Sequence, residues 1–70
     1  MKKADLESIL QRRPFTPVRL RLSNGSTYDA THPDGVLVTE RMAAIAVGES
    51  IALIAMLHIV EVEPLPTVHA

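Results

Sequence analysis

The chain has 70 residues, 47% of them apolar and 3% aromatic, with no cysteine and a formal net charge of −1. A chain of this length holds one domain at most, and it buries a smaller share of its surface than a typical domain, so its stability alone is marginal. The lack of cysteine excludes disulfides and thiolate zinc sites, leaving association with other chains as the remedy for a small core.

Residues 3–12 read as a helix. Leu6, Ile9 and Leu10 form one apolar stripe, with Lys3, Glu7, Gln11 and Arg12 facing away. Pro14 stops it, because a proline pushes the preceding residue out of the helical region. Ten residues do not hold a helix in isolation, so the stripe must dock on its own sheet or on a neighbour's. After Pro14-Phe15-Thr16-Pro17 the period changes to two. Val18, Leu20 and Leu22 point one way and Arg19, Arg21 and Ser23 the other, as on a half-buried strand. Asn24-Gly25 is a hairpin turn in which both residues tolerate positive φ. It leads to a return strand over 26–31, with Tyr28 and Ala30 on one face.

His32-Pro33-Asp34-Gly35 suits a type I turn. Further strands are expected over 36–40, 43–47, 51–55 and 59–63, with a tight turn at Arg41-Met42, another at Gly48-Glu49-Ser50 and a break at Met56-Leu57-His58. Periodicity alone leaves 51–60 open between strand and helix; the strand reading is preferred. Phe15 and Tyr28 are the only rings, so the core is built from Val, Ile, Leu and Ala, with Phe15 plugging the helix–strand junction. Residues 1–64 are read as one domain and 65–70 as a loose tail. The expected fold is mainly β with one N-terminal helix, a small SH3-like or Sm-like barrel of five to six antiparallel strands.

Charge is unevenly spread. Residues 1–21 carry six basic and two acidic side chains; residues 22–70 carry one basic and six acidic. In such barrels the first and last strands commonly lie side by side. Arg19 and Arg21 would then face Glu61 and Glu63 across an antiparallel pair. The competing reading is a basic patch for nucleic acid. The start, Met1-Lys2-Lys3, has no apolar run behind it and is not read as a signal peptide. The one membrane candidate, 42–60, carries Glu49 in its middle, where a carboxylate costs roughly 2.5–3.5 kcal/mol on insertion scales. A cytoplasmic location is expected.

In order, the amphipathic helix, Pro14-Phe15-Thr16-Pro17, the alternating strand, Asn24-Gly25, His32-Pro33-Asp34 and the run from His58 to Glu63 resemble a widespread family of small uncharacterised bacterial proteins. The resemblance covers nearly the whole chain and implies no activity. A weaker, architectural likeness is to the Sm-like RNA chaperone Hfq, through Asn24-Gly25, Asp34 and His58. Where that family has Tyr and Lys before its histidine this chain has Met56 and Leu57, so its uridine-binding chemistry is not carried over.

Candidate chemistry is sparse. Asp29, His32 and Asp34 are the only polar cluster near a turn, and a metal-dependent hydrolase there is weighed against simple turn capping, which is preferred. His58 is expected to be partly buried and bonded to one backbone group. No Ser-His-Asp arrangement, phosphate-cradling loop or zinc spacing is present. No enzyme, cofactor or small-molecule substrate is therefore expected.

Ala43, Ala44, Ala46, Ala52 and Ala55 interleave with larger aliphatics, so both faces of those strands look apolar. The leading expectation is a non-catalytic interaction module that forms a homo-oligomer, or takes a protein partner, through Ala44, Ala46, Ala52 and Ile54. The alternative is an Sm-like RNA-binding oligomer using Lys2, Lys3, Arg12 and Arg13. That alternative is weak, since single-strand binding draws on exposed aromatics and the chain has only two rings.

Overall fold

The computed structural model describes residues 1–65. The expected loose tail falls, apart from Leu65, outside the described residues. Leu65 itself is tied down, its N–H donating to the Pro17 carbonyl at 3.0 Å.

Helix α1 (Lys3–Leu10) is followed by strands β1 (Val18–Leu22), β2 (Thr27–Ala30), β3 (Val36–Val38), β4 (Met42–Val47), β5 (Ser50–Ala55) and β6 (Ile59–Pro64). Single 3-10 turns at Pro33–Gly35 and Met56–His58 join β2 to β3 and β5 to β6. The stretch 51–60 is thus strand, turn and strand, not a helix. The six strands form two three-stranded antiparallel sheets, ordered β2-β1-β6 and β3-β4-β5. The expected closed barrel does not form. The 3-10 turns at Pro33–Gly35 and Met56–His58 redirect the chain at both junctions between the sheets, so no ladder joins β2 to β3 or β5 to β6. Among the described residues no helix is long and apolar enough to cross a membrane.

Turn chemistry sets most strand ends. The β1–β2 hairpin is a three-residue loop: the Gly25 N–H donates to the Leu22 carbonyl (2.9 Å) and the Leu22 N–H to the Ser26 carbonyl (2.8 Å). Only Gly25 takes positive φ, at 89°, as in a type I turn closed by a left-handed glycine. Asn24 instead uses its side chain, Oδ1 accepting from the Ser26 N–H at 2.9 Å. β3 is shorter than expected because Thr39 turns the chain, its Oγ1 accepting from the Met42 N–H at 3.0 Å. Between β4 and β5, Gly48 takes φ 59° in a two-residue turn, which pairs Val47 with Ser50.

The core lies between the sheets and under the helix. Val18 and Leu20 of β1, Ala30 of β2, Ala43 and Ile45 of β4, Ile54 of β5 and Met56 and Ile59 of the β5–β6 junction are all buried. Leu6 and Leu10 of α1 close it, with Ile9 and Phe15 packed at the margin. The helix thus docks on its own chain. Eight residues are too short for a helix to persist alone, so burial of Leu6 and Leu10, worth about 1.5–3 kcal/mol each, holds it in place. The Met1 amino group adds a bond to the Met56 carbonyl at 3.0 Å.

Leu6 is 0% exposed, and Leu6→Ala should cost about 2–5 kcal/mol. In urea denaturation its midpoint should fall far below that of Ser8→Ala, an exposed position expected to lie within about 0.5 kcal/mol of the parent. Similar midpoints for the two variants would mean that the helix is not part of the core.

Candidate functional site

The outer face of the β3-β4-β5 sheet follows from the period of two. Along β4, Ala43 and Ile45 enter the core, so Ala44 and Ala46 face out. Register places Leu37 of β3 and Leu53 of β5 on either side of Ala44, and Ile51 of β5 beside Ala46. Leu37, Ile51 and Leu53 are 68%, 72% and 71% exposed. The result is a shallow trough with an alanine floor and aliphatic walls, bounded at one end by Asp34 and Gly35.

The four residues expected to form one surface divide between two faces. Ala44 and Ala46 are on the outer face. Ala52 pairs with Ile45 and Ile54 with Ala43, so both lie on the core side, where Ile54 is 3% exposed. The large residues of the outer face, Leu37, Ile51 and Leu53, were not among those singled out. A signal for two of them was present. Counting outward from the Gly48-Glu49 turn pairs Ala46 with Ile51 and Ala44 with Leu53. Leu57 and Val60 are also exposed, Val60 being the residue that bulges where the β1–β6 register shifts.

The other sheet presents charges outward. Register sets Arg19 between Asp29 of β2 and Glu63 of β6, and Arg21 opposite Glu61. Arg19 Nε donates to Asp29 Oδ1 at 2.8 Å and Nη2 to Oδ2 at 3.3 Å. Arg21 Nε donates to Glu61 Oε1 and Nη2 to Glu63 Oε1, both at 2.8 Å. Arg21 thus takes both glutamates, while Arg19 turns to β2. Hydrogen bonding to Asp29 raises the Arg19 pKa and lowers that of the Asp29 carboxyl, and bonds to Glu61 and then Glu63 raise that of Arg21.

This engagement disperses the acidic cluster suggested by Asp29, His32 and Asp34. Asp29 is held by Arg19. His32 and Asp34 are exposed at the turn, where the His32 carbonyl accepts from the Gly35 N–H at 3.1 Å. No three His, Cys, Asp or Glu side chains among the described residues gather to hold a metal. His58 is exposed, contrary to expectation. Its Nδ1 lies 3.1 Å from Ser23 Oγ and its carbonyl accepts from the Ser23 N–H at 2.8 Å. The break before β6 turns its ring outward.

The basic residues named for nucleic acid also separate. Lys2 and Lys3 stand at the start of α1, in a depression shared with Glu7 and Glu40, while Arg12 and Arg13 follow its end. Eight helical residues put about 12 Å between the two pairs. Arg13 Nη1 is spent on the Leu10 and Arg12 carbonyls, at 3.2 and 2.8 Å. Comparison with protein-family models, with curated proteins and with solved structures finds no match for this chain.

A carboxyl whose pKa is lowered by folding adds stability above the ordinary aspartate range and loses it as pH falls through the lowered value. Asp29→Asn should therefore lower stability slightly at neutral pH and flatten the acid limb, with the parent and variant curves converging once pH has fallen through the lowered value. Because the pair is solvent-exposed, the difference should shrink at 1 M salt. An unaltered acid limb would show that the pair contributes nothing to folding.

Proposed function

We propose that this chain is a small non-catalytic interaction module that self-associates through the β3-β4-β5 sheet. One observation carries the reading: Leu37, Ile51 and Leu53 stand about seven-tenths exposed on one face, with only alanine between them. A scattered exposed leucine is ordinary, but contiguous large aliphatics on a sheet face mark a surface that another protein covers. A second copy supplies an equally apolar, uncharged surface, so burial carries no desolvation penalty for charge. Each large side chain removed from water contributes about 1.5–3 kcal/mol, an amount a 70-residue chain with a small core can use.

An SH3-like or Sm-like architecture, opened into two sheets, belongs to the same proposal, as does membership of the small bacterial family whose ordered motifs the chain resembles. Its support is the pairing of the first strand with the last and the leading helix. The outward arginines of β1 are already paired with carboxylates, which favours protein association over a polyanion.

Sedimentation velocity across micromolar concentrations should show reversible self-association. The double variant Ile51→Lys, Leu53→Lys should remain monomeric while keeping its unfolding stability within about 0.5 kcal/mol of the parent's at dilutions where the parent is also monomeric, because both side chains are in water in the lone chain. A parent that stays monomeric throughout would end the reading.

A further inference from the structure

We propose that two copies join edge to edge, β5 pairing antiparallel with β5 of the second copy across a two-fold axis to make one continuous six-stranded sheet. This rests on the self-association reading above and adds a second contact to it, through the strand edge, which leaves the outer faces of both copies free to be covered.

Among the described residues, two sheets of three strands leave four edges, and three of them carry features that discourage further pairing. β3 is only three residues long. β6 carries Glu61 and Glu63 and ends at Pro64. β2 is four residues with Asp29 within it. Short edges, charges and proline are the usual protections against strand addition. β5, Ser50–Ala55, is six residues of Ser, Ile, Ala, Leu, Ile and Ala, with none of these.

The free backbone groups of β5 can be assigned. The Met56 N–H donates to the Arg41 carbonyl at 2.8 Å. Bonded and non-bonded pairs alternate along an antiparallel ladder, so Ala43/Ile54, Ile45/Ala52 and Val47/Ser50 are the bonded pairs of β4 and β5. The N–H and C=O groups of Ile51, Leu53 and Ala55 consequently point away from β4. Leu53, Ile54 and Ala55 line a slot with Ser23, Asn24 and Tyr28 of the β1–β2 hairpin on its far side, and this slot is where the partner strand enters.

The strand complements itself. Set antiparallel about Leu53, it opposes Leu53 to Leu53, Ile51 to Ala55 and Ala52 to Ile54. A large side chain then meets a small one at each rung flanking the axis, and the three outward-pointing residues fall in bonded pairs. Such a contact is isologous and closes at two copies. It also joins the two troughs into one wider apolar face.

Two variants test the pairing separately from association itself. Ala55 has φ −73° and ψ 129°, which proline adopts without strain, and its N–H is not used by β4. Ala55→Pro should keep the parent's unfolding midpoint at low protein concentration and weaken the dimer at least about tenfold, since the two-fold doubles the lost bond. Leu53→Cys in this cysteine-free chain sets two thiols opposite each other with Cα atoms about 5.5 Å apart, within disulfide range. Mild oxidation should link it quickly and should link Leu37→Cys, on the far strand of the same sheet, slowly. Association that survives Ala55→Pro with equal linking at 37 and 53 would overturn edge pairing and leave self-association standing. A parent that is monomeric at every concentration would overturn both.

Discussion

The pairing of β6 with β1 is the contact on which the rest of this structure depends. It joins residues about forty positions apart and makes β1 the central strand of its sheet, with Val18 and Leu20 turned inward and Arg19 and Arg21 outward. To reach β1 the chain must leave the other sheet at Met56–His58. That departure buries Met56 and Ile59 at the junction of the sheets. It also leaves β5 with β4 as its only strand partner among the described residues. The unprotected edge and the exposed aliphatic face are thus consequences of how the chain closes on itself.

The two sheets handle their outer faces differently. On β2-β1-β6 the outward positions hold opposite charges at neighbouring rungs, so Asp29, Glu61 and Glu63 each bond an arginine, two arginines serving three carboxylates. These bonds are in water and contribute little to stability. Their effect is to keep that face hydrated and to occupy the arginines. On β3-β4-β5 the outward positions hold alanine, leucine, isoleucine and methionine, for which water is a poor partner. One chain therefore carries a charged, hydrated face and an apolar face left in water.

The core between them is small, and α1 is needed to complete it. Leu6 is fully buried although it belongs to a helix of only two turns. The sheets supply mostly small and branched side chains, and the helix supplies two leucines that fill the remaining gap. Helix and sheets are mutually dependent in this way, since the helix has too few residues to form alone and the sheets lack enough apolar volume without it.

Local pattern alone determined the element types and most turns. The 3.6-residue stripe of Leu6, Ile9 and Leu10, the alternation from Val18 to Leu22, and the signals at Asn24-Gly25, Pro33 and Gly48 act over a few residues and are readable as such. Facing arginines and glutamates on the first and last strands were legible too, because alternation fixes which side chains share a face. The choice of partner was not: Arg19 selects Asp29 and Arg21 takes both glutamates, since each guanidinium has carboxylates on two neighbouring strands and only three-dimensional placement decides between them. Whether six strands close into a barrel or stop at two sheets was likewise set by long-range packing around the Pro33 turn. So was the side on which each alanine of β4 and β5 lies. Both faces of those strands are apolar, so composition does not distinguish core from surface, and only the position of the opposite sheet sends Ile54 inward and Leu53 into water.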